Sequence, residues 1–160
     1  MPDASYRGFL YHILHERLKF LATRVVFLRK RQPETYRQHT HTKLLLAVWK
    51  VINESLVAPD SPRYFLGNTL GQQHRNWRRC KEGLPPRYRL FFRFSSEQSV
   101  CVYAWLNDEK TLRKEGSKSD VYTEFKRYLE SGEIPTSLVD ALRHSVSWEA
   151  VEQTLKSVSS

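Results

Sequence analysis

The residues best suited to chemistry in this sequence are closely spaced cations in its second half. Residues 87–94 read RYRLFFRF, and in a β-strand successive side chains point to opposite faces of the sheet. A strand here would place Arg87, Arg89 and Arg93 on one face. Three guanidinium groups on one face repel one another unless an anion lies across them. The pattern therefore predicts a surface that binds a polyanion such as a phosphate backbone.

The candidate site combines cations from two predicted strands with the segment that follows them and one tyrosine. Its members are Arg79, Lys81, Arg89, Arg93, Lys110, Arg113, Lys118 and Tyr122. Such a group suits a metal-free ribonuclease, in which the 2′-hydroxyl of RNA attacks the adjacent phosphorus and the protein moves two protons and offsets phosphoryl charge. Arginine binds two phosphoryl oxygens at once, whereas a crowded lysine or a tyrosine can transfer protons. The alternative of a solvated strand face stays open.

Other catalytic chemistries lack their residues here. His39 and His41 are close in sequence, but no carboxylate cluster accompanies them, so no metal site is predicted. The sequence contains no GxSxG motif and no glycine-rich phosphate loop. Cys80 and Cys101 fall in predicted strands and are interpreted as reduced thiols. We therefore expect no metal and no other cofactor.

Composition and charge agree with an anionic partner. The chain has 160 residues, which is enough for one domain with a core, and its 26 Lys and Arg against 17 Asp and Glu give a net charge of +9. A hydrophobic content of 40% argues against disorder. The N-terminus lacks the pattern of a signal peptide, and no apolar run approaches membrane-spanning length, so we expect a cytoplasmic protein without membrane contact.

The first half of the chain predicts a short strand and two helices. Residues 6–12 are aromatic and apolar and could form a first strand. Leucine and valine recur at helical spacing over residues 14–28, which predicts an amphipathic helix that ends in the basic residues 29–31. Pro33 and Glu34 favour the start of a second helix. That helix is apolar on two faces and is expected to pack between the first helix and a sheet.

The second half predicts a sheet. Strands are expected at about residues 77–82, 88–95 and 99–106. Strict alternation in the last strand places Trp105 on the face of Cys101 and Tyr103, and Leu106 on the opposite face. Because both faces are apolar, we expect this strand to be central in the sheet. Phe91 and Trp105 could stack on bases, although core packing is the commoner use of such residues.

Helices are predicted after the strands. Asp120 or Ser117 can cap a helix that ends at Gly132. Ser137 can cap a short helix, and Ser147 can cap a last one. The expected fold class is α+β.

Six short runs together resemble the YhaV branch of the RelE-type toxins. They are PETY at 33–36, TKLL at 42–45, RCKEG at 79–83, RYRLFFR at 87–93, WLNDEKTLR at 105–113 and SDVY at 119–122. The resemblance extends over residues 9–132. It implies a RelE-like fold, in which two N-terminal helices pack on a small, mainly antiparallel sheet followed by C-terminal helices. We therefore expect a toxin domain at residues 1–132, with residues 133–160 as a helical extension packed on the same domain.

The resemblance also implies a function and roles for individual residues. A toxin of this kind belongs to a type II toxin-antitoxin system, cleaves mRNA, typically on the ribosome, and is inhibited by a cognate PrlF-like antitoxin whose AbrB-type part binds operator DNA. The catalytic residues would be Arg79, Lys81, Arg89 and Tyr122, with Arg113, Lys114 or Lys118 as a further cation. Apart from the resemblance, the cations Arg87, Arg93, Lys110 and Lys118 are expected to bind RNA through its phosphates.

Two functions of other classes remain open from the sequence. The same cations could bind RNA or a ribosome without any chemistry, because phosphate contacts alone supply affinity. The basic face could also serve only to bind an acidic protein partner. The sequence therefore predicts an endoribonuclease toxin, with a non-catalytic binding protein as the alternative.

Overall fold

Five strands form one mixed sheet in the computed structural model, which describes the backbone of residues 6–159. The strands are β1 (Arg7–Tyr11), β2 (Arg78–Cys80), β3 (Leu90–Ser95), β4 (Val100–Leu106) and β5 (Ser145–Ser147). The helices are α1 (His12–Arg31), α2 (Thr40–Val57), α3 (Val121–Ser131), α4 (Leu138–Arg143) and α5 (Trp148–Ser159). The α+β class is thus confirmed.

The sheet has the strand order β2-β3-β4-β1-β5. Its pairs are antiparallel except β1 with β4, which is parallel. The first described element is therefore β1, an interior strand between β4 and β5, and the two long helices follow that strand. None of the described helices is both long enough and apolar enough to span a bilayer.

The α1 helix forms as its spacing predicts. Its buried side chains are Leu14, Leu18, Leu21, Val25 and Leu28, and its last turn carries three cations. The predicted start of the second helix at Pro33 was wrong, because α2 begins at Thr40. His39 has an extended backbone that cannot belong to the helix, and its Nδ1 accepts a hydrogen bond of 3.0 Å from the backbone N–H of His41. This histidine therefore acts as the N-cap of α2.

The sheet is covered on both sides by helices. On one side, which we call the α1 face, Leu90, Phe92 and Tyr103 belong to a core shared with α1, α2 and α5. On the other side, the α3 face, Phe91 and Trp105 belong to a core shared with α3. Because both faces are covered, β4 is buried along its whole length, as predicted.

A β-bulge changes the faces that strict alternation predicted for β4. Phe91 lies opposite Trp105 and Phe92 lies opposite Tyr103, which leaves Ala104 without a partner in β3. The extra residue shifts the alternation by one position. Trp105 consequently joins the core of the α3 face and Leu106 that of the α1 face, the reverse of the prediction.

The C-terminal elements follow most of their predicted signals. Asp120 caps α3, and Gly132 ends it with a left-handed φ of 84°. The Ser137 side chain caps α4, and α5 begins directly after Ser147. The sequence did not predict β5, which has three residues and pairs with β1. In α5, Trp148 belongs to the core of the α1 face. The division of the chain at residue 132 stays a prediction.

Candidate active site

Three arginines from separate segments converge on Tyr122. The Nε of Arg79 donates a hydrogen bond of 2.7 Å to the Tyr122 hydroxyl, and the Nε of Arg89 donates one of 3.1 Å to the same oxygen. The guanidinium carbon of Arg113 lies 4.8 Å from the centre of the Tyr122 ring. We call these four residues the Arg-Tyr cluster.

Strand pairing explains why two of the arginines meet. Arg79 in β2 lies opposite Phe91 in β3, and Arg89 comes two residues before Phe91. All three side chains therefore project from the α3 face of the sheet. The ring of Phe91 contacts that of Tyr122 edge to face at 5.7 Å, so the aromatic core of this face positions the tyrosine beside both arginines.

Each strand arginine is held in place by further hydrogen bonds. Arg89 is 8% exposed, and its Nη1 donates to the carbonyl of Tyr88 at 2.9 Å. The Nη1 of Arg79 donates to the carbonyl of Phe65 at 2.7 Å. Planar guanidinium groups fixed in this way need little reorganisation to bind a phosphoryl group.

A buried asparagine ties the start of β3 to the segment after β4. The Oδ1 of Asn107 accepts a hydrogen bond of 2.8 Å from the backbone N–H of Arg89. Its Nδ2 donates to the carbonyls of Arg87 and Thr111, at 3.2 and 2.9 Å. The carbonyl of Arg87 also accepts from the backbone N–H of Arg113 at 3.0 Å. The Arg87 carbonyl, in a residue with a φ of 73°, is thus joined to the loop between β4 and α3 at both Asn107 and Arg113.

Asp120 connects the other end of that loop to the cluster. Its Oδ1 accepts hydrogen bonds from Arg113 Nη1 at 2.9 Å and from the backbone N–H of Lys114 at 2.5 Å. Its Oδ2 accepts from the backbone N–H of Tyr122 at 3.0 Å. The hydrogen bond to Asp120 raises the pKa of Arg113 above its ordinary value. The three candidates for the further cation are thereby distinguished, because Arg113 faces Tyr122 while Lys114 and Lys118 are exposed.

The structure brings together four of the five predicted catalytic residues: Arg79, Arg89, Arg113 and Tyr122. Lys81 is exposed and lies directly after β2, which ends at Cys80. Arg87 and Lys110 are also exposed.

Arg93 lies on the α3 face but away from the cluster. Four residues of strand separate it from Arg89, which corresponds to about 13 Å. Its Nη1 donates to the carbonyl of Thr136, and its guanidinium lies 5.7 Å from the centre of the Trp77 ring. Burial lowers the pKa of Arg93. The guanidinium therefore has a structural contact of its own at this end of the sheet.

Sequence reasoning missed the two side chains that position the cluster. Asn107 was not predicted to have a role, and Asp120 was predicted only as a helix cap. The sequence did offer one signal for Asn107, which is a polar residue directly after an apolar strand. The structure buries this side chain fully, and buried polar groups need hydrogen-bond partners. Phe91 is fully buried as well, so it belongs to the core and is not free to stack on a base.

The described residues offer few candidate groups for nucleophilic or metal-dependent catalysis. Burial raises the pKa of both Cys80 and Cys101 to about 12, so both thiols are neutral at pH 7. Residues 6–159 contain no group of three or more His, Cys, Asp or Glu side chains placed to hold a metal ion. The Tyr122 hydroxyl differs from the thiols, because two cations donate to it and its own proton stays available to a third group.

Comparison with known proteins identifies the family of the chain. The model of a family described as toxins with endonuclease activity, from toxin-antitoxin systems, matches residues 9–146. The chain belongs to the YhaV toxin family. The YhaV match includes the whole Arg-Tyr cluster and extends beyond residue 132 into β5.

Curated YhaV relatives come from Escherichia coli. The chain is 40% identical over 135 residues to Toxin YhaV of strain CFT073, covering 83% of this chain and 80% of the relative. It is 44% identical over 117 residues to Ribonuclease toxin YhaV of strain K12, covering 72% of this chain and 75% of the relative. No solved structure matches the chain significantly.

Proposed function

We propose that this protein is the toxin of a type II toxin-antitoxin system and acts as a metal-independent endoribonuclease on mRNA. The observation that carries the proposal is the Arg-Tyr cluster, in which two guanidinium groups donate to the Tyr122 hydroxyl and a third lies against its ring. Among the described side chains, one carboxylate, that of Asp120, pairs with an arginine of the cluster. The excess of positive charge suits the phosphoryl group of a substrate. Membership of a family with endonuclease activity supports the same chemistry.

The reaction would begin with the RNA's own 2′-hydroxyl. Its oxygen forms a bond to the adjacent phosphorus, and the bond from that phosphorus to the 5′-oxygen breaks. Arg79, Arg89 and Arg113 bind the non-bridging oxygens and offset the charge that builds on them. The products are a 2′,3′-cyclic phosphate and a 5′-hydroxyl.

Two residues are assigned to the proton transfers. Tyr122 gives its proton to the leaving 5′-oxygen, because both lone pairs of its hydroxyl already accept hydrogen bonds from arginine. Lys81 in its neutral form accepts the proton of the 2′-hydroxyl. It continues the side-chain row of Arg79 past the end of β2 and is exposed to an incoming substrate.

Exposed cations around the cluster would bind neighbouring phosphates of the RNA. Arg87, Lys110 and Lys118 lie on the turn before β3 and on the loop between β4 and α3. We keep Arg93 as a fourth contact, although RNA would have to compete with Thr136 for it. Contacts of this kind add affinity without sequence preference.

The proposed setting is the cytoplasm and the translating ribosome. The fold is proposed to be RelE-like, with residues 133–160 as an extension packed on the toxin domain. The inhibitor would be a PrlF-like antitoxin with an AbrB-type part, and operator DNA would be bound only through the toxin-antitoxin complex. An acidic segment of that antitoxin could neutralise the basic surface in place of RNA.

Cleavage of defined RNA with and without EDTA tests the proposed reaction. The purified chain should cleave protein-free RNA at the same rate with and without EDTA and leave a 2′,3′-cyclic phosphate. Translating ribosomes need Mg²⁺, so they are tested without EDTA and should give the same product. A 2′-deoxy nucleotide at the cleavage site should block the reaction, because it removes the nucleophile. Cleavage of the 2′-deoxy substrate at the normal rate would contradict this mechanism, and tight binding without cleavage in any condition would support the non-catalytic alternative.

A further inference from the structure

Asp120 is the one buried carboxylate among the side chains that the structure describes, from residue 6 to residue 157. It is 3% exposed. A buried carboxylate destabilises a protein unless charges and hydrogen bonds compensate for its lost hydration. Here one cation and two backbone N–H groups do so, and all three belong to the loop and helix that carry Arg113 and Tyr122.

The two oxygens of Asp120 make different contacts. Oδ2 caps α3 by accepting from the backbone N–H of Tyr122, which serine, threonine or asparagine could do equally well. Oδ1 accepts from the Arg113 guanidinium, and only a carboxylate gives that contact a full opposite charge. A helix cap alone therefore does not explain why this residue is an aspartate.

The contact with Oδ1 determines where the third cation of the cluster lies. Arg113 is on a loop that has no regular secondary structure, and its side chain is intermediate in exposure. Between the backbone contact to Arg87 and the ion pair with Asp120, its guanidinium is held 4.8 Å from the Tyr122 ring centre. Lys114 and Lys118 lack a comparable contact with this ring, although both are close in sequence.

We infer that Asp120 is a positioning residue for RNA cleavage, which holds Arg113 against Tyr122 so that the third cation meets the phosphoryl group. The inference rests on the proposed function and adds a residue that does not touch the substrate. Its negative charge also opposes RNA binding, since it lies next to the cations that attract phosphate. Asp120 thus weakens affinity for RNA while it improves the geometry of the chemical step.

Asp120→Asn separates these roles. Asparagine is as good an N-cap as aspartate, so α3 and the melting temperature should change little. The ion pair with Arg113 is lost, and single-turnover cleavage should fall about 10- to 100-fold. RNA affinity should stay equal or rise, because a negative charge has been removed. If Asp120 were only a helix cap, Asp120→Asn would cleave at the parental rate, and that result would overturn the inference.

A double variant tests whether Asp120 acts through Arg113. Arg113→Ala combined with Asp120→Asn should cleave no more slowly than Arg113→Ala alone, because the residue that Asp120 positions is already gone. Multiplying losses would overturn the inference. Asp120→Ser, which keeps a capping side chain, gives the same comparison if Asp120→Asn folds poorly. A parental protein that binds RNA but never cleaves it would instead overturn the proposed function together with this inference.

Discussion

The two faces of the sheet each hold a tyrosine beside a phenylalanine of β3, and the two tyrosines have opposite surroundings. On the α1 face, the rings of Phe92 and Tyr103 lie 5.1 Å apart. On the α3 face, those of Phe91 and Tyr122 lie 5.7 Å apart. The two ring pairs are therefore similarly close, although the first is tilted at 31° and the second meets edge to face at 87°.

The partners of the two hydroxyl groups differ in charge. The Tyr103 hydroxyl is fully buried, 2.5 Å from Ser55 Oγ and 3.3 Å from the carbonyl of Ile52, which are neutral groups. Burial raises its pKa well above the ordinary value. The Tyr122 hydroxyl accepts from two arginines instead. The charge of the neighbouring groups, not the residue type, therefore makes one tyrosine structural and the other a candidate for chemistry.

The largest expected difference between the faces comes from Arg89. Arg89→Ala should lower single-turnover RNA cleavage about 100-fold or more while RNA binding falls far less, because its fork stabilises charge in the transition state. Arg89→Lys keeps the charge without the fork and should also be slow. The exposed Lys30 at the end of α1 offers a control, and Lys30→Ala should cleave at the parental rate. Equal losses of binding and cleavage in Arg89→Ala would indicate simple phosphate anchoring.

Tyr122→Phe keeps the ring on Phe91 and removes only the hydroxyl. We expect cleavage to slow by about 10- to 100-fold, since the proton donor is lost. Unfolding should also become easier by about 1–3 kcal/mol, because two arginine Nε–H groups lose their acceptor. Single-turnover rates and denaturant melts on Tyr122→Phe and Tyr122→Ala check both effects. A stable Tyr122→Ala protein with the parental rate would remove this residue from the site.

Tyr103→Phe is the matched change on the α1 face. It removes a hydroxyl from a buried neutral network, which should lower the free energy of unfolding by about 0.5–1.5 kcal/mol. The cleavage rate of the folded variant should equal that of the parent, since no cation or substrate group is involved. A loss of activity as large as that of Tyr122→Phe would show that the two faces are not independent.

The smallest expected effect concerns acid sensitivity on the α3 side. His74 is buried, and the loss of hydration lowers its pKa in the folded protein. As the pH falls below about 6.5, the unfolded chain binds a proton at His74 while the folded protein does not. The stability that neutral His74 contributes is therefore complete above that pH and is lost as the pH falls through the lowered pKa. His74→Gln should flatten the loss of stability below pH 6.5, by at most about 1.4 kcal/mol per pH unit. Denaturant melts from pH 7 to 5 measure it, and parallel curves for parent and variant would contradict the assignment.

Strand alternation was the strongest guide to both the fold and the candidate site. It predicted that Arg89 and Arg93 share one face of their strand, and the structure adds that Arg79 projects from the same face of the sheet and meets Arg89 at Tyr122. It failed at Trp105, because one extra residue in β4 reverses the alternation and no local pattern marks a bulge. Short β5 was missed for a related reason, since three residues have too little pattern to distinguish a strand from a turn.

The loop between β4 and α3 could not be resolved from sequence alone. Arg113, Lys114 and Lys118 were equivalent candidates for the further cation, because spacing says nothing about a loop without regular structure. Two long-range contacts single out Arg113, one through its backbone to Arg87 and one through its side chain to Asp120. Such contacts form only in the tertiary structure, so the sequence alone could not distinguish Arg113 from Lys114 and Lys118.

The parallel pairing of β1 with β4 has a consequence for the order in which a growing chain can fold. Arg7 pairs with Val100, so the first strand made must wait for the fourth before the centre of the sheet can close. Contacts between such distant residues form slowly. Tyr122 emerges later still, and Phe9 then pairs with Ser147 near the end of the chain. A nascent chain that does not yet include Tyr122 has no Arg-Tyr cluster, so the candidate site cannot form while the first four strands are still being synthesised.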